Sequence, residues 1–200
     1  MKRIFSLVLV SWLALFAAGC APQNSLFGLF KADDKEFEER LLGEWKIQSG
    51  AEFRTDQKSG RIVFERSGDA PGYLVTAFDF DEHGMNVVFA GRLTRLGSQL
   101  FIDFGTPDAE KDKFTEFPFP LVESHIFGRV QLDKNSMRID LLSDDWVKEQ
   151  AKTGTLSLAT VETKDGLVLS APTEELRKFA LEHAGDSKAF SETFSFRRKN

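Results

Sequence analysis

Apolar and polar residues alternate with a period of two along most of the chain between Trp45 and Ser143. This period places successive side chains on opposite faces of an extended chain, so it predicts β-strands. Around residue 90, for example, Phe89 and Leu93 fall on one face and Arg92 falls on the other. The strands predicted from this pattern cover residues 45–49, 61–66, 72–79, 85–96, 99–104, 125–132 and 137–142.

Turn-forming residues separate several of these strands. LGSQ lies between two predicted strands, and LDKNSM, with Asn135 at the turn position, lies between two more. In the strand at 137–142, Met137 and Ile139 alternate with polar neighbours. An apolar face opposite a mostly polar face is typical of antiparallel sheets that expose one side to water.

The C-terminal third combines two predicted helices with further strands. DDWVKEQAK begins with Asp144 and Asp145, one of which is the predicted N-cap. In TEELRKFALEHAG, Thr173 is the predicted N-cap and Gly185 the predicted end of the helix. LSLATVET and GLVLSA predict a hairpin around residues 164–166, and FSETFSFRR predicts a last strand.

Nine or ten short strands in consecutive order predict a mainly β fold, in which an antiparallel meander closes into a barrel. Closure pairs every strand edge and so prevents edge-to-edge association with other chains. A short N-terminal helix is predicted over DDKEFEERLL, capped by Asp33 or Asp34. The side chains predicted to face the interior, where they either line a ligand cavity or fill it, are Leu74, Phe78, Phe89, Phe104, Ile139 and Phe194.

The N-terminal residues have the features of an export signal. Lys2 and Arg3 precede a mostly apolar stretch over residues 4–16, and small residues lead to Cys20, the only cysteine. The apolar stretch is shorter than the roughly 20 residues of a membrane-spanning helix and is typical of a secretory signal peptide. A single cysteine excludes an intramolecular disulfide and a multi-cysteine metal site.

The sequence AAGC at residues 17–20 resembles the lipobox of bacterial lipoproteins. The resemblance implies that residues 1–19 are removed, that Cys20 is acylated, and that its acyl chains anchor the protein in a membrane. Ala21 is not Asp, which favours the outer membrane in a host with two membranes, with the domain facing the periplasm. The alternative is ordinary cleavage that leaves an exported protein with a free thiol.

Residues 20–35 are predicted to form a lipidated tether, and residues 36–200 a single barrel domain. The tether either lies against the membrane or docks on the domain, and we favour docking because the stretch is too short for a separate interfacial helix. Its apolar side chains are Leu26, Phe27, Leu29 and Phe30.

A second resemblance starts at LLGEWKI, where Gly43 and Trp45 match the Gly-x-Trp motif that opens the first strand of lipocalins and related calycins. It implies a lipocalin-like barrel in which Arg198 of the last strand packs across the Trp45 ring. The Thr-Asp-Tyr motif of lipocalins is missing, and the predicted helix at 144–152 is additional. The C-terminal half also resembles uncharacterised small bacterial lipoproteins, for which no activity is implied.

Composition and charge limit the classes of partner that the protein is expected to bind. Removal of residues 1–20 lowers the 26 basic residues to 24 and leaves 31 acidic residues, so the formal charge becomes 24 − 31 = −7. This charge disfavours nucleic acid and anionic lipid surfaces.

The segment 106–124 contains three prolines together with Phe114, Phe117 and Phe119. It either plugs one end of the barrel or forms an interaction patch for an envelope protein.

The candidate chemical groups do not form a recognisable reactive motif. His83, His125 and His183 share no metal-binding spacing, and no nucleotide-binding motif is present. Glu123 and Ser124 precede His125, but adjacent side chains in a strand face opposite sides. The acidic turn FDFDEHG lacks the full calcium-loop pattern. We therefore expect no metal site, no cofactor and no enzymatic reaction.

The function predicted from these features is the binding of a small apolar ligand inside a membrane-anchored barrel. The alternative is a structural or assembly scaffold of the cell envelope, which acts through protein contacts and has no ligand cavity. A carrier requires a continuous apolar cavity, whereas a scaffold requires a filled barrel and an exposed apolar patch.

Overall fold

The computed structural model describes residues 22–50, 60–68, 71–78, 86–107, 123–164 and 166–199. Eight antiparallel strands form a closed barrel, in which the first strand pairs with both the second and the last of the eight. The barrel strands are β1 (Gly43–Ser49), β2 (Arg61–Arg66), β3 (Tyr73–Phe78), β4 (Val87–Leu96), β5 (Gln99–Gly105), β6 (Ile126–Leu132), β7 (Ser136–Leu141) and β10 (Glu192–Arg198). The mainly β, closed antiparallel barrel predicted from the sequence is confirmed.

The chain between β7 and β10 lies outside the barrel. It contains α1 (Asp144–Thr153), β8 (Thr160–Thr163), β9 (Gly166–Leu169) and α2 (Thr173–Glu182). Strands β8 and β9 pair with each other and not with the barrel. The prediction of a barrel built from all nine or ten strands is wrong for these two, because a local hairpin shows the same alternation as a barrel strand.

The two ends of the barrel differ, and we name them the mouth and the closed end. At the mouth, β1, β3, β5 and β7 end and β2, β4, β6 and β10 begin; the closed end is opposite. Near the closed end, the Trp45 ring is fully buried and packs with Leu41 and Phe64. The Trp45 Nε1 donates a hydrogen bond of 2.8 Å to the Leu41 carbonyl, so the buried indole is satisfied.

Arg198 pairs directly with Trp45 across β1 and β10 and covers its ring at 4.2 Å from the centroid. Its guanidinium also donates to the Leu42 carbonyl at 2.9 Å and to the Arg40 carbonyl. The contact predicted between Trp45 and Arg198 is therefore present, and it ties the last strand to the turn before the first.

An aromatic stack completes the closed end. Phe37 lies parallel to Tyr73 with ring centroids 4.7 Å apart, and Phe64 meets Tyr73 edge-on at 5.8 Å. The Tyr73 hydroxyl accepts from the Glu38 N–H at 2.7 Å and donates to the Glu38 carbonyl at 3.1 Å. Burial raises the pKa of Tyr73 to about 12, so the phenol stays neutral.

A second core lies between the barrel and the elements outside it. It joins the outer faces of β5 and β6, through Phe101 and Phe127, to Leu176 and Phe179 of α2. Strand β5 is consequently buried on both faces. This explains why apolar residues occupy both faces of its FIDF segment, in which Asp103 is the polar exception. The expectation of one solvated face does not hold for this strand, because the helices cover it.

The helix ends differ from those predicted. Ser143, not Asp144 or Asp145, is the N-cap of α1, and its hydroxyl accepts from the Trp146 N–H at 3.4 Å. Helix α2 has Pro172 as its N-cap residue and ends at Glu182, before Gly185. The Thr173 hydroxyl, predicted as a cap, donates instead to the Gly28 carbonyl at 2.9 Å.

Residues 22–35, which we call the strap, cross the outside of the barrel between β5 and α2. Leu29 is fully buried in the second core, whereas Phe27 is 47% exposed. At the mouth, Ser25 and His125 exchange backbone hydrogen bonds of 2.9 and 2.7 Å. The strap is thus docked along its described length and belongs to the folded domain.

The strap reaches the closed end at Asp34. Its carboxylate accepts from Arg177 Nη1 of α2 at 2.6 Å and from Thr94 Oγ1 of β4 at 2.7 Å. Only a 3₁₀ turn, Glu39–Leu41, follows before β1. The short helix predicted over DDKEFEERLL is present only as this 3₁₀ turn, and Asp34 makes long-range bonds instead of capping it.

We expect Arg198→Ala to lower the free energy of unfolding by about 1–3 kcal/mol, because it removes the cation–π contact and leaves two carbonyls without their donor. Arg197→Ala is the matched control, since Arg197 is the exposed neighbour on the same strand. Urea unfolding of both variants, followed by Trp fluorescence, measures the difference. Equal losses in the two variants would show that the contact does not stabilise the barrel.

The Asp34 bonds predict a stability change in acid. Burial alone would raise the pKa of Asp34, but hydrogen bonds from Arg177, Thr94 and the Lys31 N–H lower it below its ordinary 3.8. The stabilisation is thus complete above pH 3.8 and is lost as the pH falls through the lowered value. Urea unfolding at several pH values should show Asp34→Asn less stable than the native chain at pH 7, and the gap should shrink in acid. Asp33→Asn, at an exposed neighbour, should show no such gap.

Candidate functional site

The mouth half of the barrel contains a cavity of about 820 Å³. This volume is within the roughly 300–1,000 Å³ that small-molecule sites occupy in proteins. All eight barrel strands contribute an inward-facing residue to its wall: Ile47, Ile62, Ala77, Phe89, Phe104, Ile126, Ile139 and Phe194. The interior is therefore filled at the closed end and empty toward the mouth.

Polar side chains on the cavity wall are confined to the mouth. Asn24 comes from the strap, and the other four precede or follow a strand: Asn86, Thr106, Ser124 and His125. None of the described residues that line the cavity is Asp, Glu, Lys or Arg. The described wall thus has an apolar floor and a polar rim, an arrangement that accepts an apolar chain and leaves a polar group at the opening.

Four of the six residues predicted to face the interior line this cavity: Phe89, Phe104, Ile139 and Phe194. The inward orientation predicted for Leu74 and Phe78 is wrong. On β3, the buried residues are Tyr73, Val75 and Ala77, and Leu74 and Phe78 alternate with them on the outer face.

Phe78 is half-buried on the barrel surface beneath a basic side chain. Arg61 pairs with Phe78 across β2 and β3, and its guanidinium lies 4.1 Å from the ring centroid. An aromatic residue on the outer face therefore carries the same apolar signal in the sequence as an inward one. Cys20 and the loop residues Phe114, Phe117 and Phe119 lie outside the described residues.

His125 belongs to a buried polar pair that the sequence did not reveal. Its Nδ1 lies 2.8 Å from Oδ1 of Asp103, which is 2% exposed. The other oxygen, Oδ2, accepts from the backbone N–H of Leu29 at 2.6 Å and of Phe30 at 3.3 Å. One carboxylate therefore fixes both the imidazole on the cavity wall and the backbone of the strap.

Gly28 makes this arrangement possible. A Cβ at this position would collide with the Asp103 carboxylate and lie 2.8 Å from His125 Nδ1. The strap can approach the pair only because residue 28 has no side chain. Its carbonyl is in turn held by the Thr173 hydroxyl of α2.

A buried ion pair holds the segment between α2 and β10 against the barrel. Arg129 of β6 donates to Asp140 of β7 at 3.3 Å and also binds the carbonyls of Ala184 and Phe190. Asp140 is fully buried and accepts from Thr193 Oγ1 at 2.6 Å. These bonds hold the chain after α2 against the barrel, so the wall of the cavity is supported from outside.

No metal-binding cluster is found within the described part of the chain: it has no group of three His, Cys, Asp or Glu side chains that could hold an ion. In the same part of the chain, no helix has both the length and the apolarity required to cross a bilayer.

Comparison with models of protein families, with curated proteins and with solved structures finds no match to this chain. The assignment of a function therefore depends on the geometry of the cavity and on the sequence features at the N-terminus.

Gly28→Ala should destabilise the strap, because the new methyl group must displace the buried Asp103 carboxylate or the His125 ring. We expect a loss of about 1–3 kcal/mol, the range for overpacking a filled site. Gly185→Ala is the matched control, since a Cβ there meets nothing within 4 Å. Hydrogen exchange should rise at Leu29 and Phe30 in Gly28→Ala only. Unchanged protection would show that the strap tolerates the methyl group.

Proposed function

We propose that this protein is a cell-envelope lipoprotein whose barrel binds a small apolar ligand. The observation that carries the proposal is the 820 Å³ cavity, to which every barrel strand contributes an apolar side chain. Burial of apolar surface contributes roughly 25 cal/mol per Å² to binding, and the described wall contains no Asp, Glu, Lys or Arg whose desolvation would oppose it. The proposed activity is binding without a reaction.

The rim chemistry favours an amphiphile over a pure hydrocarbon. Asn24, Asn86, Thr106, Ser124 and His125 supply donors and acceptors only at the mouth. A ligand with one apolar chain and one polar group satisfies both regions, because its chain fills the floor and its polar group stays at the rim. A ligand without a polar group would leave the rim solvated and gain nothing from it.

The location is proposed from the N-terminal sequence. AAGC at residues 17–20 supports acylation of Cys20 after removal of residues 1–19, and Ala21 favours the outer membrane where the host has two. The domain then faces the periplasm. We propose no metal or cofactor for the domain and no nucleic-acid partner.

The alternative is a scaffold that acts through contacts with another envelope protein. It predicts a barrel filled by side chains, whereas the mouth half holds a cavity. The carrier is therefore the better-supported function, and a protein partner remains an additional role for the surface.

The test is native mass spectrometry of residues 21–200, exported to the periplasm of a bacterial host without the anchor. This chain retains residues 22–35 and, with them, every described contact of the strap. We expect a noncovalent adduct of amphiphile mass that is lost on denaturation. Delipidated protein that also fails to take up long-chain fatty acid or lysophospholipid would contradict the proposal.

Ala77→Phe should lower ligand affinity, since Ala77 faces the cavity and a ring there fills part of it. Loss of contact with two or three methylene groups corresponds to roughly 1.5–2.5 kcal/mol of binding free energy. Thr76→Phe is the matched control, because Thr76 is the neighbour on the outer face of β3. Titration of a fluorescent fatty acid measures both variants. Equal affinities would place the ligand outside the cavity.

A further inference from the structure

The position of the strap relates the cavity to the membrane anchor. Pro22, the first described residue, lines the cavity and forms a β-bridge with Ser143, directly after β7 ends at the mouth. Asn24, two residues later, lines the same wall. The chain thus enters the domain beside the mouth and then runs away from it toward the closed end.

Backbone hydrogen bonds hold the strap in place at this point. Gln23 N–H donates to the Leu142 carbonyl at 2.9 Å, and the Leu26 N–H donates to the Leu169 carbonyl at 2.8 Å. The Asp103 carboxylate and the Thr173 hydroxyl hold the next residues from both sides. Release of the strap would expose Leu29 and remove both backbone donors from Oδ2 of the buried Asp103, so the entry point is fixed.

Cys20 is separated from this entry point by one residue. Two residue steps span at most about 7 Å, whereas the six residues of β7 place the closed end roughly 20 Å further away. An acyl group on Cys20 therefore brings the mouth, and not the closed end, to the membrane surface.

The mouth has a surface that suits a lipid headgroup region. Val88, at the start of β4 beside the cavity, is 40% exposed, and the described residues that line the rim with it carry amide, hydroxyl and imidazole groups. Among the described residues, the closed end carries ion pairs that include Arg95–Glu36 at 3.1 Å and Arg40–Glu38 at 2.7 Å. Charged groups lose hydration at a bilayer, whereas uncharged polar groups and an apolar side chain enter it at lower cost.

We propose that the mouth of the barrel rests on the bilayer that holds acylated Cys20, and that the cavity takes an acyl chain directly from that bilayer. This inference rests on the proposed function, because it requires both the anchor and the ligand cavity. In this proposal, the surface that contacts the mouth is the lipid bilayer. A second copy of the chain or an envelope protein at the mouth would be a contrary result.

The test uses the full chain, acylated by a bacterial host and reconstituted into phosphatidylcholine vesicles, since the charge of −7 disfavours anionic lipid. Val88→Cys and Lys134→Cys place one reactive thiol at the mouth and at the closed end, because Cys20 is blocked by its acyl group. Lys134 lies in the exposed turn between β6 and β7. An NBD dye on each thiol reports its depth through quenching by nitroxide-labelled lipid.

We expect the dye at residue 88 to be quenched several-fold more than the dye at residue 134, with a blue-shifted emission. Equal quenching, or stronger quenching at residue 134, would overturn the proposed orientation. A dye at residue 88 that is shielded from both water and lipid would overturn it in favour of a protein at the mouth.

Two readouts separate this inference from the proposed function. Ligand binding by residues 21–200 in solution tests the carrier alone, so binding there with equal quenching at both dyes removes only the orientation. Strong quenching at residue 88 without any ligand binding removes the carrier and the acyl-chain transfer but keeps the contact with the bilayer. Protein that lacks acyl mass on Cys20 would overturn the anchor and, with it, the orientation.

Discussion

The buried carboxylate of Asp103 connects the strap to the barrel and to the cavity wall. It lies on the outer face of β5, accepts two backbone N–H groups from the strap, and holds the His125 ring at the cavity wall. A carboxylate with so little exposure is tolerated only when its oxygens are hydrogen-bonded, and each such bond to an ionised group stabilises by roughly 1.5–3 kcal/mol. The strap and the His125 ring thus share a single buried side chain of the barrel as their partner.

The two ends of the barrel have different roles. At the closed end, Trp45, Phe64 and Tyr73 fill the interior, and Arg198 covers the indole. Toward the mouth the inward residues are separated by empty volume. Stability is therefore concentrated where the interior is packed, which leaves the other half able to keep a cavity. A uniformly filled barrel would be more stable and would hold no ligand.

Local patterns in the sequence were sufficient for most strands and insufficient for their environment. The period-two alternation located all seven barrel strands between residues 43 and 141 within two residues at each end. It did not distinguish β8 and β9 from barrel strands, because a hairpin outside the barrel alternates in the same way. It assigned Leu74 and Phe78 to the interior because Tyr73 and Ala77, which occupy it, are no more apolar.

The missed features depend on partners that are distant in the chain. Asp34 is an ordinary helix cap by its local sequence, yet Arg177 and Thr94 use its carboxylate. The sequence neighbours of His125 are Glu123 and Ser124, whereas its structural partner Asp103 is 22 residues away. The Trp45–Arg198 contact was found despite a longer separation, because a family motif supplied the pairing that spacing alone does not.

The pairing of β1 with β10 also determines when the barrel can form. The bond between Arg198 and the Leu42 carbonyl spans 156 residues, so the first strand must wait for nearly the whole described chain before its second edge is paired. Contacts this distant form late and slowly, because loop closure must precede them. A chain that emerges from the ribosome with its N-terminal end first therefore cannot close this barrel until β10 has also emerged. The closed barrel is a product of the finished chain and not of its growing end.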